Sequence, residues 1–224
     1  MSYLILVRHG QSVWNLEKKF TGWVDVDLTE NGKLEAKKSG ELIKSKNIEI
    51  DIYYSSFQLR AKNTLNLIKE ILNDKKISKQ AWQLNERHYG SLTGLNKDEM
   101  KVKLGEEKVH QFRRSWDLRP EPLDKNNPYH PINIDAYKEI PINKIPDTES
   151  LKDTYERVIN FYKQEIENKT TNNNILIPNQ FINKNYEDES TFGFSDYHGY
   201  GIINNDENNE LIYDYQNIER FRRI

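Results

Sequence analysis

Two stretches of this chain have the composition of a site that handles phosphate. The first is Arg8-His9-Gly10, followed by Gln11, Ser12 and Asn15. An imidazole can attack phosphorus when neighbouring groups hold the phosphoryl oxygens. Glycine lets the backbone approach a ligand closely. Backbone N–H groups at a turn or helix start bind anions, and the planar fork of Arg8 suits phosphate. A histidine taken at random is more often a surface or hydrogen-bonded core residue. These neighbours set His9 apart from the chain's other four, His88, His110, His130 and His198.

The second stretch is Leu84-Asn85-Glu86-Arg87-His88-Tyr89-Gly90, where a carboxylate lies beside a cation and an imidazole. Taken alone it fits an exposed, salt-bridged turn. If it faces the same pocket as His9, Glu86 is the best general acid/base in the chain. Arg60 follows Ser55-Ser56 near a helix start, and Lys97, Arg113 and Arg114 add positive charge, although adjacent arginines most often form a solvated face.

The elements that must position these residues can be read from periodicity. The apolar run ending at Val7 reads as a buried parallel strand followed by a glycine-containing turn. Residues 33–46 and 57–72 read as helices, the second carrying Phe57, Ala61, Leu65, Ile68 and Leu72 on one face. Between them Ile48, Ile50, Ile52 and Tyr54 alternate as in a strand. Residues 118–148 hold all but one of the prolines and read as a long surface excursion. A helix follows, with Leu151, Tyr155, Val158, Ile159, Tyr162 and Ile166 in one stripe and Ser150 with Asp153 as a capping pair. Ile175–Ile177 is another buried strand, and Leu211–Tyr215 reads as a last one. Alternating strands and helices predict an α/β fold: three layers, a largely parallel central sheet and flanking helices. Ligands in such sheets bind beyond the carboxyl ends of the strands, where the turn after Val7 lies.

In order and in register, Leu6 to Ser12 with Trp14-Asn15 resembles the Arg-His-Gly motif of the histidine phosphatase superfamily. Phe20-Thr21-Gly22-Trp23, Leu84 to Gly90 with Leu92, Gly94 to Lys97, Arg113-Arg114-Ser115 and Glu149 to Thr154 narrow the resemblance to the 2,3-bisphosphoglycerate-dependent phosphoglycerate mutases. The resemblance spans residues 3 to about 177. It implies interconversion of 3-phosphoglycerate and 2-phosphoglycerate in glycolysis and gluconeogenesis, primed by 2,3-bisphosphoglycerate, without metal. His9 would carry the phosphoryl group and Glu86 would move the substrate proton. Arg8 and Arg60 would clamp the transferring group, with Asn15, Thr21 and the turn backbone through Gln11, Ser12 and Gly22 around it. Arg87, Tyr89, Lys97, Arg113 and Arg114 would hold the other phosphate and the carboxylate, and His88 would support them. Relatives of this kind are commonly homodimers or homotetramers.

The resemblance breaks near the C-terminus. The family carries a second histidine in an Ala-His-Gly-Asn-Ser run directly after a buried strand. Here Ile175–Ile177 continues as Pro178-Asn179-Gln180, with Gln180 in the histidine's register and a His198-Gly199 pair eighteen positions later. Residues 178–224 form a divergent segment of what reads as one domain over 1–224, and the family helix expected there is missing. That departure implies two alternatives to a working mutase: a catalytically impaired phosphoglycerate-binding pseudoenzyme, or a histidine phosphatase in which water takes the phosphoryl group.

The bulk properties agree with a pocket rather than a charged surface. At 224 residues with 36% hydrophobic and 30% charged residues, the chain can bury one substantial core. A net charge of −2 argues against nucleic-acid or membrane-surface binding. Any anion site is therefore a local cationic cluster. With no cysteine there is no disulfide, thiolate metal site or thiol nucleophile, as suits a cytoplasmic protein. The apolar run before Arg8 is too short for a signal sequence or a membrane span.

Overall fold

The computed structural model describes residues 2–178, 200–204 and 211–214. The first half of the chain gives β1 (Tyr3–Val7), α1 (Val13–Leu16), α2 (Glu30–Ser45), β2 (Ile52–Ser55), α3 (Leu59–Leu72) and β3 (Ser78–Gln80). A helical hairpin follows, α4 (Lys97–Leu104) and α5 (Glu106–Arg114). After it come α6 (Leu151–Phe161), a π-helical turn (Tyr162–Ile166), α7 (Glu167–Thr170) and the strands β4 (Ile175–Pro178), β5 (Tyr200–Asn204) and β6 (Leu211–Asp214). The sheet order is β3-β2-β4-β1-β5-β6. Its first four strands are parallel, and β5 runs antiparallel to β1 and to β6. No helix among the described residues is long and apolar enough to cross a membrane.

The continuous apolar run of β1 is explained by burial on both faces. Ile5 and Val7 face α2 and α3, packing with Ile43, Leu65, Ile68 and Leu176. Leu4 and Leu6 face the opposite layer, with Ile166, Val158 and Phe161 from the α6 side. Side chains that alternate across a strand therefore serve two cores at once. The expected three-layer α/β architecture is present.

Several boundaries differ from the sequence expectation for local physical reasons. Helix α2 starts at Glu30 rather than 33, because Thr29 caps it through a hydrogen bond accepted from the Gly32 N–H. Its first turn is polar, so periodicity alone starts it late. Helix α3 starts at Leu59 rather than 57, since the Phe57 N–H donates to Asn85 Oδ1 instead of opening a helix. Ile50 is buried, but the paired part of β2 begins only at Ile52. The Ser150–Asp153 capping box forms as expected. Helix α6 then yields to the π turn, which drives Ile166 into the core.

One expectation needs correction, and one strand was not foreseen. Residues 118–148 are not only a surface excursion. They form short 3₁₀ turns and bury Leu123, His130, Tyr137 and Ile140, with Tyr137 and Ile140 packed on Trp23. Their buried residues are spaced by turns rather than by one repeat, so no periodic signal exists. Within the stretch 179–209, which lacks helical periodicity, the structure adds β5 against β1. Glycine at 201 and polar flanks hide that strand from pattern reading.

Candidate active site

The parallel strands deliver the chemistry to one edge of the sheet. His9 follows β1, Ser56 to Arg60 follows β2, and the loop 81–90 follows β3, all at strand carboxyl ends. β4 ends at Pro178 in register with Val7, two residues before His9.

His9 is buried, with Nδ1 at 2.7 Å from its neighbour's carbonyl, Gly10 O. A carbonyl oxygen can only accept, so Nδ1 carries the proton and the lone pair lies on Nε2. The Gly10 N–H donates to Thr64 Oγ1 (3.1 Å), and that hydroxyl donates to the Arg60 carbonyl (2.8 Å). The His9 turn is thereby tied to α3 one turn beyond Arg60. A Cβ on Gly10 would overlap the backbone of Gly32, so only glycine lets this turn rest on the start of α2.

Arg60 is fully buried. Its Nη1 donates to the Val24 carbonyl (2.9 Å), and its Nη2 donates to the Gly22 carbonyl (2.8 Å) and to Glu86 Oε2 (2.8 Å). The Glu86 stretch is therefore no exposed turn. Asn85, Glu86, Arg87 and His88 are all at most 4% exposed, and the ion pair is internal. Gly22, at φ +54°, turns the chain so that its carbonyl meets Arg60. Thr21 beside it is buried.

From Glu86 the contacts continue outward. The Arg87 guanidinium lies 4.8 Å over the Tyr89 ring and donates through Nη2 to the Phe112 carbonyl, immediately before Arg113. Tyr89 packs on Phe20 (5.2 Å between ring centroids), and Lys97 Nζ stands 5.8 Å from the same Phe20 ring. Phe20 anchors the α4–α5 hairpin through Leu92, Met100 and Val109. Arg113 and Arg114 form the last turn of α5 and are half-buried, as are Arg8 and Lys97. They are not a solvated face.

The residues after His9 are partly occupied with local structure. Ser12 and Asn15 form the capping box of α1, Asn15 Oδ1 accepting from the Ser12 N–H (3.1 Å). Only the Nδ2 donor of Asn15 suits an oxyanion. Gln11 bridges to α2, its N–H donating to Glu35 Oε2 (2.7 Å) and its Oε1 accepting from Thr29 Oγ1 (2.9 Å).

Buried donors without a partner among the described residues test whether a polyanion suits this place. They include Arg60 Nε and both Nε and Nη1 of Arg87. Leaving such groups unpaired is costly unless a ligand or water takes them. Phosphate and carboxylate oxygens, which only accept, fit that set.

Sequence reasoning missed several supporting residues. Gln58 donates to the Gly22 carbonyl (2.8 Å) and accepts from the Glu86 N–H (3.2 Å). Arg157 and Glu149 hold the other side of the Glu86 loop. A helical arginine eight residues beyond a carboxylate carries no pattern that could reveal this. Of the remaining histidines, His110 is exposed on α5 and His130 pairs with Asp147 at 2.9 Å. His88 is buried, with Nδ1 accepting from the Gly90 N–H at 3.0 Å. Burial first, then the nearby His130 and Arg157, drop its pKa to about 3 against the opposite pull of Asp147. It remains neutral at physiological pH. His198 and Gln180 lie outside the described residues.

The profile described as the histidine phosphatase superfamily (branch 1) matches residues 4–130. A 2,3-bisphosphoglycerate-dependent phosphoglycerate mutase of Pelagibacter ubique is 69% identical over 178 residues, 79% of this chain and 75% of the relative. The chain belongs to the 2,3-bisphosphoglycerate-dependent phosphoglycerate mutase family. Another mutase of this family, from Hydrogenobaculum, is 48% identical over 74% of this chain and 68% of its own length. A mycobacterial glucosyl-3-phosphoglycerate phosphatase shares the fold, with a TM-score of 0.63 at 15% identity over 97% of this chain and 99% of its own.

Proposed function

We infer that this chain interconverts 3-phosphoglycerate and 2-phosphoglycerate, with 2,3-bisphosphoglycerate as the priming phosphoryl donor. The observation that carries the mechanism is the Nδ1–H of His9 fixed on the Gly10 carbonyl, which leaves Nε2 as the nucleophile. In the priming step Nε2 attacks phosphorus, the P–O bond to the primer breaks, and the departing oxygen takes a proton from the Glu86 carboxyl. That carboxyl enters the step protonated and leaves it as the carboxylate paired with Arg60. In the return step a substrate hydroxyl gives its proton to Glu86 as its oxygen attacks the phosphohistidine and the N–P bond breaks. Arg8 and Arg60 stabilise charge on the equatorial oxygens. The Asn15 Nδ2 donor, Thr21 and Gly22 take the remaining oxygens, while the backbone N–H groups of Gln11 and Ser12 stay on Glu35 and Asn15 and shape the turn. Arg87, Tyr89, Lys97, Arg113 and Arg114 hold the second phosphate and the carboxylate, and His88 supports the loop that carries Arg87 and Tyr89.

The test is intact-mass measurement after incubation with 2,3-bisphosphoglycerate. Wild type is expected to gain one acid-labile phosphoryl group and His9→Ala none. An unmodified wild type overturns the assignment.

A second reading rests on Gln180 in the register of the family's second histidine. Loss of one preorganised donor costs about 10²–10³ in rate, so a phosphoglycerate-binding pseudoenzyme would show ligand binding with negligible turnover. Phosphate release without isomerisation would instead mark a phosphatase.

A further inference from the structure

We propose that Arg157 and Glu149 are a positioning pair that sets the catalytic loop carrying Glu86 and Arg87. This rests on the mutase reading, in which Glu86 moves the substrate proton. Arg157 Nε and Nη2 meet Glu149 Oε1 and Oε2 at 2.8 and 2.9 Å, a two-pronged pair with both side chains under 10% exposed. The same guanidinium reaches the loop itself, Nη1 donating to the carbonyls of Gln83 (2.7 Å) and Asn85 (3.0 Å). Nη2 also faces the Glu86 carbonyl at 3.5 Å. Glu149 completes the grip: its Oε2 accepts from the His88 N–H at 2.8 Å, and its own N–H donates to the His88 carbonyl at 3.0 Å. Backbone groups on both sides of Glu86 and Arg87 are thus fixed by one ion pair.

Charge alone does not explain this arrangement. A planar fork can hold one carboxylate and two carbonyls at once, whereas an ammonium cannot reproduce those angles. The guanidinium also lies 5.5 Å over the ring of Trp23. Trp23 stands between Gly22 and Val24, the two residues whose carbonyls hold Arg60. Arg157 therefore faces the Glu86 backbone directly and reaches Arg60 only by way of Trp23, the residue between Arg60's two carbonyl acceptors. Its helix is started by the Ser150 cap directly after Glu149, which places the ion pair at the beginning of α6.

The decisive comparison is Arg157→Lys, which retains the charge opposite Glu149 but loses the fork. It is expected to lower kcat about 10- to 100-fold, the scale of a misplaced catalytic group. KM should rise by a smaller factor than kcat falls, since the loop also carries Arg87 and Tyr89 against the second phosphate while the larger loss falls on the proton transfer of Glu86. In a Glu86→Gln background the same substitution should add little, because it acts through the group already removed. Additive losses in the double variant, or a loss matched by the unfolded fraction, overturn the proposal. Glu149→Gln provides a second variant of nearly unchanged volume with the same expectation. Amide exchange at His88 gives a readout independent of turnover. Arg157→Lys should expose that amide while β1 and β4 stay protected, and unchanged exchange overturns the proposal. A wild type that neither turns over nor gains a phosphoryl group defeats the mutase reading instead, and the exchange result still decides whether the pair fixes the loop.

Discussion

The guanidinium of Arg60 bonds two backbone carbonyls and one carboxylate while its Nε donor has no partner among the described residues. Lysine at this position would keep the charge and lose the fork. Arg60→Lys is expected to slow phosphorylation of His9 by about 10² or more, the effect of removing a preorganised donor from a developing oxyanion. Rapid-quench measurement of phosphohistidine formation checks this, and an unchanged rate would exclude Arg60 from the transfer step. His88 makes a different prediction. Its folded pKa is about 3 against 6.5 for an ordinary ring, so between those values the unfolded chain binds the extra proton. Stability is complete above pH 6.5 and falls with decreasing pH through that window, by at most about 1.4 kcal/mol per pH unit from this residue. His88→Gln, which can still accept from the Gly90 N–H, should flatten the acid dependence of urea unfolding by one proton. Parallel slopes for wild type and variant would remove His88 as the cause.

Elements show where sequence patterns succeed and where they stop. The stripe of Ala61, Leu65 and Ile68 and the capping pair Ser150–Asp153 were legible because each depends on neighbours a few residues away. Ser150→Ala should destabilise the protein by about 1 kcal/mol through loss of the α6 cap. Because Glu149 and Arg157 flank that cap, thermal unfolding should register the change together with a modest fall in kcat. No fall in stability would contradict the cap's role. The start of α2 and the buried turns of 118–148 were not legible. One depends on a polar cap before any apolar repeat, and the others on contacts with Trp23 from more than a hundred residues away. Gly32 is a related case. A Cβ there would overlap the backbone of Gln11, so Gly32→Ala should push the His9 turn off α2 and lower both stability and phosphorylation rate. Equal melting temperatures for this variant and wild type would refute that packing.

At the scale of the molecule, a chain of net charge −2 brings six cationic side chains, Arg8, Arg60, Arg87, Lys97, Arg113 and Arg114, into the stretches that the sheet edge and the α4–α5 hairpin present. A ligand with several negative charges should therefore stabilise the fold strongly and lose affinity with salt. At a hundred times its dissociation constant, 2,3-bisphosphoglycerate should add about 2.7 kcal/mol, equivalent to a Tm rise of roughly 5–11 °C for a domain of this size. Differential scanning calorimetry with wild type and Arg113→Ala checks it; an equal rise in both would place the ligand away from α5. Sequence by itself determined the α/β class, the nucleophile His9 and the arginines around it as candidates, because residue type and short spacing encode local chemistry. Only the tertiary structure decided that Glu86 is buried against Arg60, which tautomer His9 adopts, and that Arg157 and Glu149 grip the loop between them. Those facts depend on the parallel strands ending at one edge. Distances between residues far apart in the chain are set by packing, which no local pattern records.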